Sequence, residues 1–296
     1  MSHPARSTHD RPGPTQTATT ASMNPTEPWM LSEKGGLNAG EEVIHGILAA
    51  RRRALMNLVR SIPATAWHTP SRCSQWTVHQ VVRHVRDVAR IQVARLQGDG
   101  NPFGRNLFDP RTSPAQWLAR SEGETPGNTV DQLASLLQCE DALFSQQAGR
   151  QQLLLVPGQL RREVHWSVAV THSLWDAWMH ERDIAVPLGL TQTPGDAEMR
   201  LMIMYSLLAA AGPAARENDH IDLALGLTGS PDHTYRIGHA GDDLYVSVAT
   251  GAQPQLSGPM DTVLDSLAGR GPELANVLGA SGKAVRRLAL LRAQAT

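Results

Sequence analysis

The hydrophobic period of this chain changes once, at Pro213, and that change limits the folds open to it. Before Pro213, apolar residues recur every three or four positions. EEVIHGILAARRRALMNLVRSI reads as a helix that stops before Pro63. A second helix begins at QWTVHQVV, with Thr77 as N-cap and Gln80 placed for a capping box, and runs to about Leu96. Residues 98–127 are rich in Gly, Pro and Asn, with a short helical piece around Trp117, and read as a long, site-forming connection. Further helices are expected over about 128–148, 163–186 and 195–212. After Pro213 the period is two: IDLALGL, TYRIGHA and DLYVSVA alternate between turn residues, and helical pieces follow near 259–268 and 282–294. The expected architecture is a helix bundle over residues 39–213, followed by a small α+β domain over 214–296.

Residues 1–38, rich in Pro, Ser, Thr and Gly without apolar period, read as a disordered tail, and Met23 is a second candidate start. The 296 residues are 41% apolar and 19% charged, enough for a sizeable core. A net charge of -1 gives no electrostatic case for nucleic acid or a membrane surface. No apolar run is long enough to span a bilayer, and the N-terminus lacks the apolar core of a signal peptide. Two cysteines, Cys73 and Cys139, without a CxxC pair argue against a disulfide scaffold or zinc ribbon and point to the cytoplasm. No spare amphipathic face stands out, so a monomer is expected.

The chemistry concentrates in HSLWDAWMHERDI, residues 172–184. At 100° per residue, His165, Ala169, His172, Asp176, His180 and Asp183 fall within about 80° of one another. Trp166, Val168, Leu174, Trp175, Trp178, Met179 and Ile184 make the rest of the helix apolar. A narrow polar line on a wide apolar surface is the reverse of a surface helix, and buried ionisable groups need partners. A divalent ion is one such partner, and Asp176 with His180 forms an i, i+4 pair able to bite it. A buried ion pair and a hydrogen-bonded core histidine are the plain structural alternatives.

The second helix supplies a third donor. His84 shares a face with Val81 and Val88, whereas His79, Arg83, Arg86 and Arg90 lie on the other face and read as solvated. Three protein ligands with an open position is the catalytic type of zinc site.

Trp76, His84 and then Asp176-x-x-x-His180-x-x-Asp183 resemble, in order and spacing, the DinB-like metal-binding four-helix bundle of mycothiol-dependent maleylpyruvate isomerases and their actinobacterial relatives. The C-terminal region is similar to that family's small domain, itself similar to sterol carrier proteins. The resemblance, over about residues 40–296, implies a divalent metal, usually zinc, on His84, Asp176 and His180, with Asp183 orienting a ligand. Asp176 stands where the isomerases typically carry Glu. It also implies mycothiol as cofactor or co-substrate, activated as a metal-bound thiolate either to isomerise a conjugated acid or to transfer sulfur to a small electrophile. In LAGRG, Arg270 matches a family Gly-Arg and is the candidate to contact thiol or substrate; Arg182 and Arg236 are weaker candidates. His172 is a candidate acid/base, with a core role as its alternative, and Cys73 a remote candidate nucleophile. The rival readings are a non-catalytic metal-binding sensor on the same scaffold and a metal-free bundle that binds an apolar ligand.

Overall fold

The computed structural model of the protein describes residues 28–73, 75–99, 102–103, 112–147, 153–155, 163–190, 194–216, 221–280 and 282–289. In chain order the elements are β1 (Met30–Ser32), β2 (Gly36–Leu37), α1 (Glu41–Ser61), a 3-10 turn over Ala64–His68, α2 (Val78–Leu96), α3 (Ser113–Arg120) and α4 (Pro126–Gln147). They continue with β3 (Leu153–Leu155), β4 (Glu163–His165), α5 (Trp166–Ala185), α6 (Asp196–Arg216), β5 (Leu223–Thr228), β6 (Thr234–Ala240), β7 (Asp243–Val248) and β8 (Leu256–Pro259). Three short helices close the described chain: α7 (Met260–Leu267), α8 (Leu274–Val277) and α9 (Lys283–Ala289). Among the described residues no helix is long and apolar enough to cross a membrane.

Helices α1, α2, α4 and α5 form the bundle, each packed on two of the others. Their core includes Leu55, Val59, Val81, Val82, Val85, Leu133, Leu137, Ala177 and Ile184, apolar positions that recur at helical spacing. The start of α2 carries the expected capping box: Gln80 N donates to the Thr77 hydroxyl, and Thr77 N donates to Gln80 Oε1 at 2.8 Å. Helix α6 is buried along its whole middle, from Leu201 to Ala211. A helix apolar all round needs neighbours on every side. It has α5 on one side and β1, β6, β7 and α9 on another. Its residues share one core with α5 and the sheet, so no core boundary falls at Pro213, and α6 runs through that proline to Arg216.

The sheet has the order β2-β1-β7-β6-β5-β8, antiparallel except for the β5–β8 pair. Two of its strands come from the stretch expected to be tail. Met30–Ser32 pairs with Ser247–Tyr245 of β7, and Gly36–Leu37 turns back on β1. Leu31 and Leu37 bury their side chains, which is why the stretch is ordered. The rest of the expected tail, residues 1–27, lies outside the described residues. Gly36, at φ 72°, is required where it stands, because a Cβ there would lie 2.4 Å from the side chains of both His165 and Ser167.

The helix expected from residue 163 starts three residues later. Glu163–His165 is a strand paired with β3, and His165 is the N-cap of α5, accepting from Ser167 N. His165 therefore leaves the polar line and becomes a terminus. The expected final helix is described as Lys283–Ala289; its continuation lies outside the described residues.

Candidate metal centre

The loop before α2 folds tightly against the end of α5. Val78 N donates to Thr69 O, Trp76 N to Cys73 O, and Arg72 N to Asp183 O at 3.1 Å. This places Trp76 over the ring of His84, with centroids 5.0 Å apart. It also places His84 edge-on to His180, at 4.9 Å and 81°.

Donor atoms of His84, Asp176 and His180 all lie within 4.8 Å of one another. His84 and His180 are buried, and Asp176 is half-buried. His180 is held at both ring nitrogens: Nε2 is 3.7 Å from Asp176 Oδ1, and Nδ1 is 3.1 Å from Asp183 Oδ2. Asp183 is fully buried and is gripped from its other side by Arg270, whose Nε donates to Oδ1 at 3.1 Å. Cys73 Sγ lies 3.0 Å from Asp183 Oδ2 and 3.2 Å from Arg270 Nη2.

The electrostatics separate the two imidazoles. Burial, and then the charge on His180, pushes His84 down to about 3, so it is neutral. Burial also works against a charged His180, but Asp176 and the hydrogen bonds to Asp183 and Cys73 outweigh it and push it up to about 10. Burial would raise Asp183, yet His180 and Arg270 hold it well below the usual carboxylate range.

This arrangement fits a divalent cation. His84 Nδ1 is buried without a hydrogen-bond partner, as a nitrogen left for another group would be. His180 turns Nε2 toward Asp176, and its Nδ1–H is fixed by a carboxylate, the usual second partner of a ligating histidine. A second donor triplet, Cys73 with His180 and Asp183, also lies within reach of one ion. Arg270 occupies that side, bonded to both Asp183 and Cys73, and its charge repels a cation there.

Of the other candidates, His172 sits one turn before Asp176, stacked on Trp175, with Nδ1 2.6 Å from the Tyr205 hydroxyl. Burial lowers its pKa, so it too is neutral. Arg270 reaches the cluster from the second half of the chain, but its guanidinium is engaged by Asp183, Cys73 and Ala268 O. Arg182 lies over Trp178 and pairs with Asp265, and Arg236 pairs with the exposed Asp222, away from the cluster. Tyr205 was missed because α6 reads as a plain apolar helix, and its hydroxyl has no partner nearby in sequence.

The face of α2 expected to be solvated is covered. His79, Arg83 and Arg86 are buried, because α4 and the segment after α3 pack over them. Arg83 donates to Ser121 Oγ and Leu118 O, Arg86 pairs with Asp87 and Glu124, and His79 Nε2 meets Thr129 Oγ1 at 3.0 Å. Apart from Asp87, long-range partners make that polar face a buried one, and its spacing carries no sign of them.

Comparison with known proteins bears on the same bundle and, for the fold, on most of the chain. The sequence model of the mycothiol maleylpyruvate isomerase N-terminal domain matches residues 48–185. The fold is similar to a crystal structure described as the mycothiol-dependent maleylpyruvate isomerase, with a TM-score of 0.54 at 14% identity over 78% of this chain and 90% of that one. A histidine-to-alanine mutant of that enzyme matches with a TM-score of 0.53 at 15% identity, over 78% and 89%. No curated protein matches the chain.

Proposed function

Residues 48–185 belong to the mycothiol maleylpyruvate isomerase N-terminal domain family, and from that premise we propose that this chain is a divalent-metal enzyme that uses mycothiol to isomerise a small conjugated acid. The observation that carries the reading is the buried triplet His84, Asp176 and His180 with its unpartnered His84 Nδ1. The family supports the thiol, and the triplet supports the metal.

A bound divalent cation supplies a Lewis acid that lowers the pKa of a thiol and makes a nucleophile near neutral pH. The chain's own residues do the rest. Asp183 accepts from His180 Nδ1, so Nε2 is the nitrogen that would give up its proton and hold the cation. Arg270 and Cys73 hold Asp183 in place, and Arg270 sets a positive charge behind the site. Trp76 covers His84 and excludes water from that side.

His172 acts as a hydrogen-bond donor. Burial raises the pKa of Tyr205, so its hydroxyl keeps its proton. The one partner of that hydroxyl among the described residues is His172 Nδ1, so a satisfied phenol donates to that nitrogen. The imidazole proton then sits on Nε2. A neutral imidazole N–H placed there stabilises the oxygen that gains charge when a thiolate adds to a conjugated carbonyl compound.

Elemental analysis of protein purified without a polyhistidine tag tests the reading. About one divalent ion per chain is expected in the wild type, with loss in His84→Ala. Incubation with mycothiol and a cis-enone acid then reads the reaction: the trans acid without retained sulfur is isomerisation, and a thioether is S-transfer. A wild type that holds no ion and cannot be reloaded would sink the catalytic reading and leave Asp176 and His180 as a buried ion pair.

A further inference from the structure

Helix α2 carries four arginines, and three of them have partners. Arg83 bonds to Ser121 and Leu118 O, Arg86 to Asp87 and Glu124, and Arg90 to Gln132. Arg95, in the last turn, makes no hydrogen bond or ion pair among the described residues, and its Nη1 is buried without a partner. A guanidinium that only lays its stem along apolar surface keeps its head in water. Arg95 does so only in part: it is half-buried, and its Nη1 is shut away from water without a bond, which costs stability unless another group supplies one.

Its place on the helix shows what that something meets. Arg95 follows His84 by eleven residues, which at 100° per residue brings it back to within about 20° of the same face. Helices α2 and α5 run antiparallel, since Arg72 N bonds Asp183 O before α2 begins and His84 faces His180 further on. The charge of Arg95 reaches His172, two turns back from His180. Eleven residues are about 16 Å along α2 and eight are about 12 Å along α5. The side chain of Arg95 tilts back toward the helix N-terminus, which brings its guanidinium to the level of His172. The interior face between the two helices thus offers donor atoms at one end, and a neutral imidazole and an unpaired cation one to two turns further along.

We propose that Arg95 is the anion-recognition residue of this interior: the ligand that reaches the donor set carries a carboxylate, and Arg95 takes it beside His172. This deepens the proposed function and rests on it for the ligand's other end alone. A carboxylate matches a planar guanidinium with two parallel hydrogen bonds. The pairing also gives the buried Nη1 a partner, so acids are favoured over neutral analogues.

Thermal unfolding of the full chain tests this, with maleate as the anionic probe, maleamide as its neutral counterpart and chloride to match ionic strength. In the wild type, maleate raises the Tm saturably and maleamide does not. In Arg95→Gln the maleate response requires at least about tenfold more ligand, while Tm without ligand stays level because Arg95 makes no hydrogen bond or ion pair among the described residues to lose. Arg95→Lys keeps a weaker response. A wild type without a saturable maleate response, or an Arg95→Gln protein that responds like the wild type, overturns the proposal. Metal content on the same samples separates the two readings: metal-free protein whose maleate response still depends on Arg95 removes the metal reading and leaves this one standing.

Discussion

At the scale of single residues the site turns on Asp183. Its carboxylate is fully buried and accepts from His180, Arg270 and Cys73 at once. Removing one partner of a buried charge network leaves the others uncompensated, and Arg270 and His180 are both cationic neighbours. Asp183→Asn should therefore lower unfolding free energy by about 3–5 kcal/mol, read as a fall in the urea midpoint. Because Asp183 also fixes His180 Nδ1, affinity for a divalent ion should fall about 10–100-fold, read by titration with a chelator competitor. Asp183→Asn combined with Arg270→Gln should lose less stability than the two single changes added together, since the pair shares one interaction. A stable Asp183→Asn with unchanged metal affinity would remove Asp183 from the centre. The line His172, Asp176, His180 and Asp183 was legible because helical period alone puts it on one face. Cys73, Tyr205 and Arg95 were less legible. Cys73 and Tyr205 take their surroundings from Asp183 and His172, far away in sequence, and Arg95 is marked only by a buried Nη1 without a partner.

At the scale of elements, α2 shows where period misleads. Its two faces differ in polarity, and a polar face is normally the wet one. Here α4 and the segment after α3 supply Thr129, Glu124 and Ser121 to bury it. This has a consequence for pH. Burial, followed by the charge of Arg83, lowers the pKa of His79 from its usual value. The unfolded chain then binds more protons than the folded one below about pH 6.5, so this contribution is complete above that pH and is lost as pH falls through it toward the folded value. His172 and His84, lowered mainly by burial, act in the same direction, while His180, pushed up to about 10, offsets part of the effect. Urea midpoints at pH 7.5 and 5.5 should show a clear loss of stability at the lower pH, and His79→Gln, which keeps a donor for Thr129, should narrow that gap. An equal gap in both proteins would place the acid sensitivity elsewhere.

At the scale of the whole molecule, the two halves share a buried core and are joined further by ion pairs. Arg72 and Arg182 both pair with Asp265 of α7, and Arg270 reaches across to Asp183. From the other end, β1 and β2 precede the bundle in sequence yet complete the sheet that follows it. Composition hid these strands, because two short strands in a Gly-, Ser- and Asn-containing stretch carry no period long enough to read. They are nonetheless structural: Leu31 and Leu37 are buried, and each buried leucine is worth about 1.5–3 kcal/mol. Removing residues 28–38 also bares the backbone edge of β7 to other chains. A protein that begins at Ala39 should therefore lose about 3–6 kcal/mol of stability, lower its Tm by several degrees and aggregate on heating. Leu31→Asp should reproduce the loss without shortening the chain. Gly36→Ala should reproduce part of it, since φ 72° and the crowding of His165 and Ser167 both oppose a side chain there. Equal melting of full-length and shortened protein would return this stretch to the status of a tail. Melting that drops while divalent-ion content stays at the wild-type level would show that the strand supports the sheet and that the donor set in the bundle stands without it.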